Sequence, residues 1–139
     1  MEAYRTVLEK NGIAYRPEWN ISARPNNGVS SYERVREFWE AGNRPDAIMA
    51  ANGQSASGVM RYLYQQGVRI PDDLSIIAYE DSSMCGYATP ALTAVNIRKE
   101  ELGSRAAKCL IERIQNPDKE REVVTLKPFL VRRDSVRQR

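Results

Sequence analysis

The sequence predicts an α/β protein built on a doubly wound parallel sheet. Two short apolar runs, DAIMAAN and LSIIAY, are bounded by turn residues, as in strands that are buried on both faces of such a sheet. Segments with apolar residues at helical spacing precede and separate these runs, and this alternation is typical of βαβ units. The length of 139 residues, with 42% hydrophobic and 28% charged residues, suits a soluble globular domain.

The first predicted element is the end of an amphipathic helix at residues 2–11. Its apolar residues recur at helical spacing, and Gly12 follows them in the position of a C-terminal cap. Because the chain starts within this helix, we expect it to be a piece of a longer protein. The connection that follows is rich in Pro, Asn and Gly, and a short strand centred on Ile21 is expected within it.

A second helix is predicted next, with Ser30 or Ser31 as its N-cap and with Gly42 at its end. The strand DAIMAAN comes after it, followed by a helix at residues 55–66 that Gly67 closes. The strand LSIIAY then completes a helix–strand–helix–strand series, which is the basis for the parallel sheet.

The last third of the chain predicts a third strand, LTAVNI, and an amphipathic helix at residues 99–115. Two β-like runs, VVTL and FLVRR, follow and are separated by Pro128. The final segment, RRDSVRQR, carries four arginines and one aspartate, so it accounts for the whole formal charge of +3. We interpret it as a solvated basic tail, with phosphate contact as the alternative.

Several kinds of chemistry are excluded by composition and spacing. Histidine is absent, which excludes Ser-His and Cys-His nucleophiles and His-containing metal sites. Cys85 and Cys109 lie too far apart for a CxxC motif and are interpreted as free thiols. Neither a dinucleotide motif, a phosphate loop nor an EF-hand pattern occurs. The sequence therefore predicts no catalytic residue, no metal, no cofactor and no membrane-spanning segment.

Polar residues follow both predicted buried strands. Asn52 and Gln54 come after DAIMAAN, and Glu80 and Asp81 come after LSIIAY. Ligands of open parallel sheets bind beyond the carboxyl ends of the strands, and amide and carboxylate groups suit the hydroxyls of a small polar ligand. The alternatives are a helix cap for the first pair and a solvated loop for the second. Adjacent strand residues point in opposite directions, so an acid–base pair is not expected.

Three stretches in a fixed order carry a resemblance to a known family: RPDAIMAANGQSASGVMRYLYQQGVRIPDDLSIIAYED, TPALTAVNIRKEELGSRAAKCLIERI and LKPFLVRRDSV. From Ala3 to Val136 the chain resembles the C-terminal part of the LacI/GalR transcriptional regulators. The resemblance implies a periplasmic-binding-protein-like fold, in which two subdomains clamp an effector. It also implies that this chain is an incomplete C-terminal portion, with the DNA-binding helix-turn-helix in an upstream segment.

The resemblance implies a division of the chain between the two subdomains. Residues 1–95 would belong to the distal subdomain, residues 96–126 to the proximal one, and residues 127–139 would return to the distal one and end in the basic tail.

The resemblance also implies positions for the effector site. It places Asn52 and Glu80 at effector-contacting positions, and Asn26 near a position that is often aromatic in the family. Gly53 stands where the family commonly has Asp, and Ile97 where it usually has Gln.

The implied function is that of the effector-sensing portion of a cytoplasmic regulator, a repressor that binds a small polar ligand, expected to be a sugar, and performs no chemistry. A homodimer is expected, with no membrane partner. The alternative is a periplasmic sugar-binding protein of a transporter, while an enzyme is disfavoured. Met and aromatic side chains are enriched at interfaces, so four residues are the expected dimer anchors: Met60, Tyr64, Met84 and Tyr87.

Overall fold

A computed structural model describes residues 2–138 as a four-stranded sheet with five helices. Helices α1 to α5 span Glu2–Lys10, Gly28–Glu40, Gly53–Gln65, Ser83–Tyr87 and Lys99–Gln115. Strands β1 to β4 span Ala47–Ala50, Ser75–Ala78, Thr93–Asn96 and Phe129–Val131. A single 3₁₀ turn at Pro17–Trp19 lies in the first long connection.

The strands lie in the order β1-β2-β3-β4, with the first three parallel and β4 antiparallel to β3. The predicted α/β class and its parallel sheet are confirmed. Ala50 and Ala78, the last residues of β1 and β2, lie opposite each other. The segments that follow these two strands therefore leave the sheet side by side, which is the arrangement that the candidate site needs.

The core lies between the sheet and α3, and α2 packs on α3. Its largest fully buried aliphatic side chains come from α2, α3, β2 and the residues just before β2 and β3: Val35, Leu63, Ile76, Leu74 and Leu92. The opposite face of the sheet is open, with Met49 53% and Tyr79 54% exposed. The prediction of strands buried on both faces was therefore wrong for residues 2–138, because α2 and α3 cover one face only.

Helices α2 and α3 approach each other through two glycines. A Cβ added at Gly58 would lie 2.0 Å from the carbonyl oxygen of Gly28, far inside van der Waals contact. A Cβ added at Gly28 would lie 3.3 Å from the carbonyl oxygen of Gln54. The N-terminal turn of α2 is thus held directly against the first turns of α3.

Two predicted strands are absent from the described residues. Ile21 lies half-buried in an irregular connection, and residues 123–126 are also irregular, with Val123 89% exposed. Both segments have strand-like sequences, but within residues 2–138 no other strand lies beside them to complete a hydrogen-bonded ladder. The sequence pattern of a segment does not show whether another strand lies next to it.

The starts of α2 and α3 differ from the prediction by a few residues, whereas the ends of both helices agree with it within one or two residues. Asn27, rather than Ser30 or Ser31, caps α2, since its side-chain oxygen accepts the Ser30 N–H at 3.0 Å. Gly12 and Gly67 follow α1 and α3 with φ of 69° and 74°, the left-handed conformation that ends many helices.

Helix α5 matches its predicted bounds, but none of its residues is buried. Its apolar stripe stays in contact with solvent, with Leu110 62% and Ile114 70% exposed. Cys109 and Cys85 are both free thiols, as predicted. None of the helices in residues 2–138 combines the length and apolarity needed to cross a membrane.

The tail is solvated only in part, so the prediction needs correction. Arg133 is an ion-pair partner of Asp81 at 2.9 Å, with its side chain 21% exposed. Ser135 is fully buried and hydrogen-bonds both β2 and β3. Arg132 and Arg137 are exposed as predicted, and Arg139 lies outside the described residues. Charge composition missed this because the burial of Arg133 and Ser135 depends on contacts with residues more than 40 positions earlier in the chain.

Candidate ligand-binding site

The candidate site lies at the carboxyl edge of β1 and β2. Asn52 begins α3 just after β1, and Glu80 follows β2 by two residues. The parallel register brings these two segments to one edge of the sheet, as the sequence predicts. Both residues are half-buried, so each combines a fixed position with access to solvent.

Asn52 is the N-cap of α3, which was the alternative left open by the sequence. Its Oδ1 accepts the backbone N–H of Ser55 at 2.8 Å. The Nδ2 group donates to no atom of residues 2–138, so it is free to donate to a ligand. Capping fixes the amide in one orientation, and the two roles are compatible.

Gly53 gives the segment after β2 room to approach α3. A Cβ at Gly53 would lie 2.7 Å from Ser82 Oγ and 3.1 Å from Cys85 Sγ. The start of α4 therefore lies directly against the start of α3, and an aspartate at this position would collide with it. The starts of α3 and α4 can pack this closely because Gly53 has no side chain.

Gln54 and Asn26 lie at the rim of this edge. The Gln54 side chain is exposed, and its backbone oxygen accepts the hydroxyl of Ser57 at 2.7 Å. Asn26 is exposed in the loop that leads into α2, next to the capping Asn27. The contact between Gly28 and the Gln54 backbone brings that loop alongside α3. Both side chains are accessible to a ligand, and neither is fixed by a hydrogen bond within residues 2–138.

Glu80 meets a cation that the sequence reasoning missed. Its Oε1 accepts a hydrogen bond from Lys99 Nζ at 2.7 Å, and the two side chains are 39% and 43% exposed. This hydrogen bond, together with the charges of Glu80, Glu100 and Asp81, raises the pKa of Lys99 against the opposing effect of desolvation. Lys99 is the first residue of α5, and no local pattern connects it with a residue 19 positions earlier.

Asp81 binds other partners than Glu80 does and has a structural role. Its carboxylate accepts hydrogen bonds from Arg133 Nη1 at 2.9 Å and from Asn96 Nδ2 at 3.3 Å. It therefore joins the end of β2 to the end of β3 and to the tail. Glu80 and Asp81 have separate partners, in agreement with the prediction that they do not act as a pair.

The four expected dimer anchors divide into one buried and three exposed side chains. Met60 is 7% exposed and belongs to the core beneath α3, so it is not available as a surface anchor. Tyr64 and Tyr87 are 83% and 88% exposed, and Met84 is 41% exposed. Helical periodicity alone did not separate the inner face of α3, which carries Met60, from the outer face.

Residues 1–136 match the family model described as a periplasmic binding protein-like domain. The chain is 31% identical over 138 residues to the ribose operon repressor of Haemophilus influenzae, covering 98% of this chain and 41% of the repressor. It is also 31% identical to the HTH-type transcriptional repressor PurR of Pasteurella multocida, covering 99% and 41% of the two chains. The chain thus spans about two fifths of the length of these curated relatives.

Solved structures give the same result. A LacI-type transcription regulator from Bifidobacterium animalis superposes with a TM-score of 0.90 at 30% identity, covering 97% of this chain and 48% of that one. A LacI family regulator from Enterococcus faecium with bound ribose superposes with a TM-score of 0.85 at 30% identity, covering 97% and 49%. A CelR–cellobiose complex also gives 0.85 and 30%, covering 95% and 40%.

Proposed function

Since the chain belongs to the periplasmic binding protein-like family and its relatives are LacI-type regulators, we propose that it is the effector-binding portion of such a regulator. It binds a small polar ligand, a sugar, and carries out no reaction on it. Binding in the cytoplasm switches DNA binding by a segment outside this chain. The relatives named above are repressors, so a transporter's sugar-binding protein is not favoured.

The observation that carries the proposal is the pairing of an amide and a carboxylate at neighbouring strand ends. Asn52 presents a fixed amide donor, and Glu80 presents carboxylate oxygens. A sugar hydroxyl both donates and accepts, so one face of a sugar ring can bind both groups. Two regulators of similar structure hold ribose and cellobiose, which makes these sugars the first probes.

We also propose that the two parts of the chain belong to two subdomains. Residues 1–95 and the tail form the first subdomain, which contains α2 to α4 and the four-stranded sheet. Helix α5 leaves the sheet after β3 and has no buried residue. Residues 96–126 then belong to the second subdomain. A ligand shifts such a two-part clamp only by the difference between its affinities for the closed and the open form.

The direct test is calorimetric titration of the native protein that carries this chain, with ribose, cellobiose and a panel of other free sugars. We expect one of them to bind and to change the affinity of the native protein for its operator DNA in a shift assay. Sugar binding without any effect on DNA binding would favour the transporter alternative, and the absence of both would contradict the proposal.

Removing the polar groups should weaken ligand binding. We expect Glu80→Ala to reduce affinity for the bound sugar by about 10- to 150-fold, since a hydrogen bond to a charged group contributes about 1.5–3 kcal/mol. Asn52→Asp is the matched variant, because it keeps the oxygen that caps α3 and removes the amide donor. Asn52→Ala would also remove the cap, which costs about 1 kcal/mol of stability. Unchanged affinity in both Glu80→Ala and Asn52→Asp would leave these residues with structural roles only.

The dimer proposal rests on the exposed aromatic and Met side chains that follow β1 and β2: Tyr64, Met84 and Tyr87. We expect Tyr64→Glu and Met84→Glu to convert a dimer of the native protein into monomers in equilibrium sedimentation, because a buried unpaired charge opposes association. Gln66→Glu, exposed at the C-cap of α3 and on a different side of the helix from Tyr64, is the control for added charge. A dimer of unaltered strength in both variants would place the interface elsewhere.

A further inference from the structure

The first turn of α5 is tied to the strand-end site by one ion pair. Lys99 Nζ lies 2.7 Å from Glu80 Oε1, whereas the other ion pairs of α5 within residues 2–138 join groups of the helix or of the turns that flank it. Since α5 has no buried residue, this contact and the turn before Lys99 fix how the helix leaves the sheet.

Lys99 occupies a place where a helix disfavours a cation. The first turn of a helix has a partial positive charge, and acidic residues such as Glu100 and Glu101 are the favoured occupants. The turn itself is tightly set, because Arg98 has φ 58° and ψ 48° and its N–H donates to Asn96 Oδ1 at 2.8 Å. This geometry directs the Lys99 ammonium towards Glu80, and the carboxylate compensates for the unfavourable position in the helix.

We propose that Lys99 is a specificity-determining residue of the site, because its ammonium hydrogen-bonds one of the two oxygens of Glu80. Each carboxylate oxygen has two lone-pair sites, and Lys99 takes one of those on Oε1, so a sugar that donates two neighbouring hydroxyls to both oxygens competes with the ammonium for Oε1. A ligand that needs one oxygen only, or that carries an anionic group beside its hydroxyl, can bind with Lys99 in place. The proposal rests on the function proposed above and adds a residue outside the β1 and β2 segments.

Displacement of Lys99 also has a conformational consequence. Once Glu80 turns to the ligand, the first turn of α5 loses its ion pair to the sheet and is held by the Arg98 turn alone. Ligand binding at the strand ends is thereby transmitted to the helix that begins the second part of the chain. This coupling requires the ion pair to break, so it is observable at Lys99 itself.

The first experiment follows the Lys99 amine without any ligand. Lysines of the native protein are reductively methylated with ¹³C, which keeps their charge, and the Lys99 signal is assigned with Lys99→Arg. We expect Glu80→Gln to shift the Lys99 signal and to leave that of the exposed Lys127 in place. If Glu80→Gln leaves the Lys99 signal unchanged, the ion pair is absent and the proposal is overturned. In the native protein, adding a sugar that binds should shift the Lys99 signal in the same direction as Glu80→Gln does, and that shift would support displacement of the ammonium.

The second experiment measures affinity for ribose, cellobiose and the sugar panel by calorimetry. Exposed ion pairs contribute up to about 1 kcal/mol, so Lys99→Met should strengthen binding of a neutral sugar about two- to fivefold, while Lys127→Met should not. Binding that is unchanged or weaker in Lys99→Met would overturn the specificity role and leave the proposed function standing. If no sugar binds either the native protein or Lys99→Met, both the specificity role of Lys99 and the proposed function are overturned.

Discussion

Gly58→Ala is expected to destabilise the native protein by about 3 kcal/mol or more. The added methyl group would lie 2.0 Å from the Gly28 carbonyl oxygen and 2.8 Å from the Gly28 Cα. Both atoms belong to backbone, so no side-chain rotation can relieve the overlap, and α2 and α3 must separate. Overpacking of a tightly packed interior costs about 1–3 kcal/mol, and a backbone collision belongs at the upper end of that range.

Gly103→Ala is the matched control, since Gly103 also lies within a helix but a Cβ there would meet no atom within 4 Å. Alanine is the better helix former, so this control should be neutral or should stabilise α5 by about 0.5–1 kcal/mol. Denaturant unfolding of the three proteins measures both effects. An unfolding free energy of Gly58→Ala within about 0.5 kcal/mol of the parent would contradict the close contact.

The contact between Gly58 and Gly28 also affects the candidate site. Separation of α2 from α3 moves the loop that carries Asn26 away from Gln54, because Gly28 packs on the Gln54 backbone. Gly58→Ala should therefore weaken sugar binding even at temperatures where the variant remains folded. Calorimetric titration at a temperature below the unfolding transition would show this. If Gly58→Ala binds the sugar as tightly as the parent protein, the contact between α2 and α3 does not affect the site.

The sequence predicted those features of the fold that depend on local chemistry. The β1 and β2 runs form strands and residues 99–115 form a helix, as predicted, and glycine follows α1 and α3 where they end. It also predicted that Asn52 and Glu80 follow neighbouring strands, since parallel connections bring strand ends to one edge. Each of these inferences uses only residues close together in the chain.

Long-range partners could not be predicted in the same way. Lys99 is typical of an exposed helix residue, and its contact with Glu80 depends on where the Arg98 turn directs α5. Arg133 was assigned to a solvated tail, although Asp81 binds it 52 positions away. A single sequence contains no information on which of several exposed cations meets a given carboxylate. The buried Met60 shows the same limit for helix faces, because Met suits both a core and an interface.

Ser135→Ala is expected to destabilise the native protein by about 2–4 kcal/mol, although it removes a single oxygen. Ser135 Oγ donates to the Ile76 carbonyl at 2.6 Å and accepts the Thr93 N–H at 2.8 Å, so one buried hydroxyl bridges β2 and β3. The Ser135 carbonyl accepts the Ile76 N–H at 2.8 Å. Without the hydroxyl, the Thr93 N–H is left buried and unpaired, which costs about 1–3 kcal/mol, and the Ile76 carbonyl loses the Ser135 donor.

Hydrogen exchange can show that the stability lost in Ser135→Ala comes from the hydrogen bond to Thr93. We expect the Thr93 amide to exchange with solvent faster in Ser135→Ala than in the parent, by more than the change in global stability accounts for, because its acceptor is gone. Ser104→Ala, at an exposed position of α5, is the control and should alter stability by no more than about 0.5 kcal/mol. If Thr93 stays as protected in Ser135→Ala as in the parent, its amide has another acceptor and the tail does not bridge the two strands. If protection is lost, a tail residue 42 positions beyond Thr93 holds together the two strands whose carboxyl ends carry Glu80 and Asn96.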